Sequence, residues 1–245
     1  MTTHSAALVP VAIALLLVLP VAARTQPQTQ PQTQPAGEAD HDHAHPPTST
    51  HPFDDVEKWA SVFDSPDRAE WQKPEIIPGL LGLKEGMVVA DIGAGTGYFE
   101  RFFSKAVGPS GVVYAVDTEP KMVAHLKDRA KREATANVIP VLAASDDPKL
   151  PDRSVDVVFI CDTYHHIGDR IAYMRKLGAA LKPRGSVAVV DFHKRPLPVG
   201  PPPEHKLARE TVVAEFVEAG WALASESDEL PYQYLLVFRP APEAP

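Results

Sequence analysis

The stretch that decides the fold is residues 87–103, MVVADIGAGTGYFERFF, which predicts a strand, a glycine turn and a helix. The apolar run at residues 87–90 indicates a buried strand that ends at Asp91. The turn carries three glycines at alternate positions, Gly93, Gly95 and Gly97. Glycine permits tight turns and close approach of a ligand, and the free N–H groups at a helix start can face that ligand. The stretch therefore predicts a small-molecule site, although three glycines alone also fit an ordinary loop.

The composition favours a globular domain with appendages over a nucleic-acid-binding or disulfide-bonded protein. The chain has 245 residues, of which 44% are hydrophobic, so it can form a sizeable core. Its formal net charge of -8 argues against nucleic acid as a partner, because phosphate binding draws on clustered Lys and Arg. Cys161 is the single cysteine, which excludes an internal disulfide and a thiolate metal cluster, and no metal site is predicted.

Residues 1–23 are interpreted as a signal peptide. Their strongest apolar run, at residues 11–19, is too short to span a bilayer comfortably, and small residues precede a cleavage position after Ala23. We therefore expect an exported or periplasmic protein without a stable membrane span. The alternatives are an uncleaved membrane anchor, because no Lys or Arg precedes the run, or a cytoplasmic protein.

Residues 24–51 are predicted to be a disordered linker, because their Gln- and Pro-rich composition cannot bury enough apolar surface to fold. The linker ends in HDHAHPPTSTH, residues 41–51, and runs of imidazole can bind zinc, nickel or copper. A segment without fixed geometry would bind such ions loosely. A solvated tail with incidental metal affinity is therefore favoured over a dedicated site.

Residues 52–80 are predicted to form a short helical cap, since apolar and aromatic residues recur there at helical spacing. Aromatic residues in such a pattern usually pack in a core. The alternative is that they form a lid over a ligand, and the residues concerned are Trp59, Phe63, Arg68 and Trp71.

Residues 81–245 are predicted to form the main domain, in which strands alternate with helices. After the glycine turn, further strands are expected at 111–116, 138–143, 155–161 and 186–192, with helices at 120–132 and 171–181. This order indicates a parallel, doubly wound sheet. A helix at 207–219 and two strands at 221–226 and 234–239 follow, and the short connection between these strands suggests an antiparallel hairpin.

Polar residues follow the predicted strands, where the ligand of a parallel α/β sheet is found. They are Asp91, Asp117, Asp146, Asp162, and Asp191 with His193. Asp117 follows the glycines by about twenty residues, which suits a carboxylate that accepts both hydrogen bonds of a ribose diol. The glycine spacing is GxGxG rather than the GxGxxG of dinucleotide sites, and Asp91 lies two residues ahead of it. A carboxylate there would repel a pyrophosphate and favour a cationic ligand.

Several segments in order resemble the motifs of class I S-adenosylmethionine-dependent methyltransferases, closest to those of ubiquinone and menaquinone biosynthesis. They are VVADIGAGTGYFERFF, Asp117, SDDPKLPDRSVDVVF, CDTYHHIGD and LKPRGSVAVVDF. The resemblance implies a Rossmann-like, doubly wound α/β sheet of seven strands, mostly parallel with an antiparallel last strand. It also implies S-adenosyl-L-methionine as cofactor and a small-molecule methyl acceptor, which the sequence does not identify; the oligomeric state is left open.

The resemblance assigns cofactor contacts to residues around four strand ends. Those implied to lie against the methionine part are Asp91, Gly93, Ala94, Gly95 and Gly97. Asp117 would hold the ribose hydroxyls, Asp146 would meet the adenine amino group, and Asp162, Thr163 and Tyr164 would lie near the sulfonium. Asp146 could instead be a turn residue, and Asp162 could be a helix cap.

The implied reaction is direct displacement of the methyl group by a substrate nucleophile, so the protein itself needs no nucleophile. Where the acceptor must lose a proton, the candidate bases are His165, His166 and His193, because neutral imidazole is available near pH 7. The adjacent pair His165 and His166 could instead be structural. The rival functions are an exported non-catalytic protein that binds a nucleoside or metal, and a nicotinamide-dependent reductase, which the glycine spacing disfavours.

Overall fold

The computed structural model describes residues 55–242. The predicted signal peptide, the linker and its histidine run lie outside these residues. Within the described part of the chain, no helix has the length and apolar character that a membrane crossing requires. Three short helices occur where the cap was predicted: α1 (Val56–Phe63), α2 (Arg68–Gln72) and α3 (Ile77–Leu80).

Seven strands form one sheet in the order β3-β2-β1-β4-β5-β7-β6. They are β1 (Val88–Ile92), β2 (Val112–Asp117), β3 (Val138–Leu142), β4 (Val155–Cys161), β5 (Leu181–Phe192), β6 (Trp221–Ser227) and β7 (Gln233–Pro240). Strands β1 to β5 pair in parallel, whereas β7 is antiparallel to both β5 and β6. The predicted seven-stranded sheet with an antiparallel last strand is confirmed.

The helices that connect the strands cover both faces of this sheet. They are α4 (Glu100–Val107), α5 (Pro120–Arg132), α6 (Arg170–Leu177) and α7 (Arg209–Glu218). Two of these helices begin at residues that favour a helix start. Pro120 occupies the first turn of α5, and the Asp169 carboxylate accepts a 2.9 Å hydrogen bond from Ala172 N at the start of α6.

The sheet separates two apolar clusters. Val158 and Ile160 of β4 belong to one cluster, while Val157 and Phe159 of the same strand belong to the other. Successive side chains of a strand point to opposite faces, so a strand buried on both sides must be apolar throughout. This explains why the central strands appear in the sequence as continuous apolar runs rather than alternating ones.

The boundary between α6 and β5 differs from the prediction. The helix expected at 171–181 ends at Leu177, a 3₁₀ turn spans Gly178–Ala180, and β5 already begins at Leu181. The register with β4 shifts between Val155 and Val157. Pro183 cannot donate to the sheet and Arg184 has a φ of 72°, so the first residues of β5 form an irregular extension that sequence periodicity does not show.

Candidate active site

A cavity of about 610 Å³ lies at the carboxyl ends of the parallel strands. Its wall includes the turn after β1, the end of β2, and the loops after β3 and β4. This is the position at which open α/β sheets bind ligands, and the volume is typical of small-molecule sites. The aromatic side chains of the N-terminal helices form the opposite wall.

The turn after β1 requires glycine for two different reasons. Gly93 has a φ of 77°, and a Cβ there would lie 2.8 Å from Thr163 Cβ, so the loops after β1 and β4 could not approach each other. Gly97 does not line the cavity. A Cβ at Gly97 would lie 2.9 Å from Leu126 Cδ2, so this glycine lets α5 pack against the turn. The structure thus does not place the predicted ligand residue Gly97 at the site, while Gly93, Ala94 and Gly95 do line it.

Asp117 is held rigidly at the end of β2. Its Oδ2 accepts a hydrogen bond from Gly95 N, and its Oδ1 accepts one from Glu119 N, both of 2.9 Å. Burial raises the pKa of Asp117, and these backbone hydrogen bonds offset part of that effect. A carboxylate oxygen has two lone pairs, so both oxygens keep capacity for a ligand in the cavity that Asp117 lines.

Asp91 borders the cavity and has a carboxylate neighbour that the sequence did not point out. Asp91 and Glu100 are each only 3% exposed. Burial, followed by repulsion from Glu100, holds the pKa of Asp91 well above its usual range. Burial also raises the pKa of Glu100 to about 7. In the sequence, Glu100 is one of two adjacent charged residues, with Arg101, inside the aromatic run YFERFF, and nothing there indicates that Glu100 is the buried one.

The side chain of Asp162, in the loop after β4, connects this loop to α2 and β7 at the cavity wall. Its carboxylate accepts hydrogen bonds from Gln72 Nε2 on α2, at 3.1 Å, and from Gln233 Nε2 on β7, at 2.6 Å. Burial, followed by repulsion from Asp191, raises the pKa of Asp162 to about 6. Asp162 does not cap a helix, since Thr163 precedes the short 3₁₀ turn that follows.

His165 is paired with a carboxylate at the end of the neighbouring strand. Its Nδ1 lies 2.8 Å from Asp191 Oδ2, and both side chains are buried. Burial alone would lower the pKa of His165, but the charge and hydrogen bond of Asp191 outweigh it and raise the pKa. His166 also lines the cavity, with its ring centroid 4.2 Å from that of His165.

Three other residues expected at the site lie away from the cavity. The Asp146 side chain is 81% exposed and lies 3.3 Å from Lys176 Nζ, while its neighbour Ser145 lines the cavity instead. The His193 ring packs against Tyr234, at 5.8 Å between centroids. Tyr164 donates a 2.8 Å hydrogen bond to Glu215 Oε2 in the core. The geometry does not support Asp146 as an adenine contact or His193 as a base.

The N-terminal helices form one wall of the cavity. Its lining includes all four residues proposed for a lid, Trp59, Phe63, Arg68 and Trp71. No residue of α1 is buried, so its aromatic face does not belong to a packed core. Two contacts hold this wall in place: Asp64 lies 2.8 Å from Arg129 on α5, and the Arg68 guanidinium lies 4.1 Å from the centre of the Tyr98 ring.

Residues 89–185 match a family model described as a methyltransferase domain. Over a larger span, the chain is similar to the crystal structure of a SAM-dependent methyltransferase from Aquifex aeolicus. The two share 28% sequence identity with a TM-score of 0.72, over 77% of this chain and 98% of that one. Residues 89–185 therefore carry a methyltransferase domain, and the chain is similar in fold and sequence to class I S-adenosylmethionine-dependent methyltransferases. The cofactor of this family is S-adenosyl-L-methionine.

Two curated relatives show how far the sequence similarity extends. The 27-O-demethylrifamycin SV methyltransferase of Amycolatopsis mediterranei is 29% identical over 153 residues, which are 62% of this chain and 56% of that protein. The ubiquinone/menaquinone biosynthesis C-methyltransferase of Shewanella sp. (strain ANA-3) is 31% identical over 133 residues, 53% of this chain and 49% of that protein. The chain spans about half the length of the curated relatives it matches.

The residues at the site fit S-adenosylmethionine. The ligand carries positive charge, and the cavity wall includes the carboxyl groups of Asp91, Asp117 and Asp162. Gly95, with a φ of 57°, leaves free a space that a side chain would enter, and that space faces the Phe63 ring on the other wall of the cavity. Among residues 55–242, no three His, Cys, Asp or Glu side chains are grouped as metal ligands would be.

Proposed function

We propose that this protein transfers the methyl group of S-adenosylmethionine to a small, largely apolar acceptor that presents a weakly acidic hydroxyl or amine to His165. The observation that carries this proposal is the 2.8 Å pair of His165 and Asp191 in the wall of a cavity with an aromatic opposite side. A histidine held by a carboxylate in this way can remove a proton from an acceptor, a capability that binding a nucleoside alone does not require.

Each part of the cavity has a separate role in holding the cofactor. Asp91 and the glycine turn would lie beside the methionine part, and Asp117 would accept the ribose hydroxyls. The loop after β3, where Ser145 lines the cavity, would lie beside the adenine. When bound, S-adenosylmethionine supplies an electrophilic methyl group on a sulfonium, and the negative cavity wall favours this cation over neutral ligands.

His165 is positioned to take a proton from the acceptor. Asp191 fixes the ring through Nδ1 and stabilises the imidazolium that forms. The aromatic side chains of α1 and α2 exclude water from the reacting atoms and hold a planar or apolar acceptor in line with them. The side of the cavity formed by α1 and α2 has few groups that could hydrogen-bond to an acceptor. The acceptor that fits best is therefore apolar apart from its reacting group.

The direct test is incubation of the full chain with S-adenosylmethionine labelled in its methyl group and a panel of small aromatic and apolar acceptors. We expect label to move to acceptors with a phenolic hydroxyl or an amine, with S-adenosylhomocysteine formed in equal amount. Binding of the cofactor without transfer to any member of the panel would favour a non-catalytic nucleoside-binding protein instead.

Replacing Asp117 by alanine should weaken S-adenosylhomocysteine binding at least tenfold. Charge-assisted hydrogen bonds of the kind we propose to the ribose are worth about 1.5–3 kcal/mol when desolvated, and about 1.4 kcal/mol corresponds to tenfold. Calorimetric titration measures the change, with Asp128→Ala on the exposed side of α5 as the control. Unchanged affinity in the Asp117 variant would show that the ribose lies elsewhere.

We also propose, from the sequence of residues 1–23 alone, that the protein is exported, and that residues 24–51 link this segment to the folded part. Mass spectrometry of the protein from fractionated cells tests this. A mature N-terminus at Arg24 outside the cytoplasm supports export, and an intact N-terminal segment on cytoplasmic protein contradicts it.

A further inference from the structure

The first turn of α4 carries a buried carboxyl group that has no part in the reaction described above. Glu100 is 3% exposed, and apart from Asp91 no side chain of residues 55–242 forms a hydrogen bond with its carboxyl group. Burying a charged group without partners is costly, and a native structure that contains one needs an explanation. Part of that explanation is Asp91 in β1, a cavity-lining residue whose carboxyl group interacts electrostatically with that of Glu100.

No cation of the described chain is hydrogen-bonded to this carboxyl pair. The charge of Arg129 acts on Glu100, but Arg129 Nη1 donates to Asp64 Oδ1 and Thr96 O, and its Nε donates to Glu133 Oε1. Arg68, which faces Asp91, donates instead to Gln72 and to Phe63 O. The charged and titratable groups that face the pair from other elements are Arg68, Asp117, Arg129, Glu133 and the thiol of Cys161.

Two buried carboxyl groups that interact in this way cannot both be ionised cheaply. One proton shared between them removes the repulsion and leaves the pair with a single negative charge. A cationic ligand beside Asp91 favours loss of this shared proton, because the positive charge of the ligand stabilises the second carboxylate. The pair is therefore suited to exchange a proton for a ligand cation.

We propose that Glu100 is a positioning residue for the cofactor, which acts through Asp91 by sharing a proton that is released when the methionine ammonium group binds beside Asp91. This rests on the proposed function, since it takes S-adenosylmethionine as the ligand. In the step, one carboxyl O–H bond breaks, its proton passes to solvent, and the charge of the pair changes from -1 to -2 against the incoming +1 of the ammonium.

The consequence is that cofactor affinity depends on pH. Burial raises the pKa of both carboxyl groups, that of Glu100 to about 7, so the pair still holds its proton at mildly acidic pH. Binding must then release up to one proton, and affinity should rise as pH rises, by up to about tenfold per pH unit, until the free pair is itself deprotonated. Above that pH, affinity should level off.

The test is calorimetric titration of the full chain with S-adenosylhomocysteine, which carries the same ammonium group, in buffers of different ionisation enthalpy at pH 6 to 8.5. For the wild type we expect proton release to be largest at the acidic end of the range and to vanish at the upper end. In Glu100→Gln, Asp91 no longer shares a proton with a second acid, and its carboxylate gains an amide donor. Because burial still acts on Asp91, proton release and the pH dependence of affinity should then both be smaller than in the wild type and should move to lower pH.

Two controls separate this effect from a purely structural role. The first is 5′-methylthioadenosine, which has the nucleoside and thioether but no ammonium group, and which should bind without proton release. The second is Asp91→Asn, which should lose proton release even if Glu100→Gln folds poorly. Equal proton release in wild type and Glu100→Gln, release with 5′-methylthioadenosine, or none in the wild type would overturn the proposal. If S-adenosylhomocysteine does not bind at any pH, the proposed function itself fails.

Discussion

Replacement of His165 by alanine should lower the turnover number by about 10²–10⁴-fold, the usual contribution of a positioned general base. The affinity for S-adenosylhomocysteine should change little, because the proposed contacts with the ribose, the adenine and the methionine ammonium group lie at β1, β2 and the loop after β3. The measurement is initial rate and calorimetric affinity with an acceptor found in the labelled-methyl assay. His193→Ala should keep turnover near the wild-type value, since His193 packs against Tyr234 away from the cavity.

The pH profile distinguishes a base from a residue that merely fills space. Because Asp191 raises the pKa of His165 against the effect of burial, wild-type turnover should fall on acidification below a pKa that is higher than that of an ordinary histidine. Asp191→Asn removes the raising interaction, so the acidic limb should move to lower pH while maximal turnover drops. A His165→Ala enzyme that keeps wild-type turnover and the same acidic limb would exclude His165 as the base.

Glu215→Ala should destabilise the fold by about 3–5 kcal/mol, the usual cost of removing one partner of a buried ion pair. Glu215 receives hydrogen bonds from Arg170 Nε at 2.8 Å and Arg170 Nη2 at 2.7 Å, and from the Tyr164 hydroxyl at 2.8 Å. All three side chains are buried between α6, α7 and the loop after β4. Without the carboxylate, the guanidinium of Arg170 would remain buried without its counter-charge.

Urea unfolding measures this loss of stability. Glu210→Ala is the matched control, because it lies on the same helix with a side chain 79% exposed and should change stability by less than about 0.5 kcal/mol. An Arg170→Met, Glu215→Leu double variant should recover much of the loss, since apolar pairs often replace buried ion pairs without cost. A loss below about 1 kcal/mol in Glu215→Ala would contradict the account of this network.

The sheet, and the polar residues at the carboxyl ends of its strands, could be predicted from the sequence. Continuous apolar runs mark strands buried on both faces, and the spacing of the glycines marks the turn after β1. Asp91, Asp117 and Asp162 lie within one residue of the carboxyl ends of β1, β2 and β4, so knowing the strands was enough to predict that these three would meet at one cavity. Their individual contacts with the cofactor stay predictions.

Partners from distant parts of the chain could not be predicted in the same way. Gln72 and Gln233 reach Asp162 across 90 and 71 residues, and His165 reaches Asp191 across 26. Such pairs depend on which strands become neighbours and on side-chain direction, which local patterns do not encode. Asp146 illustrates the second point: after β3 ends at Leu142, the loop turns Ser145 to the cavity and Asp146 to solvent, where it meets Lys176.

The central claim is that the glycine turn, with Asp91 before it and Asp117 opposite, forms a site for S-adenosylmethionine rather than for a dinucleotide. Calorimetric titration of the full chain with S-adenosylhomocysteine and, separately, with NADH tests this most directly. We expect one-to-one binding of S-adenosylhomocysteine and no heat of binding with NADH. Binding of NADH together with no binding of S-adenosylhomocysteine would contradict it.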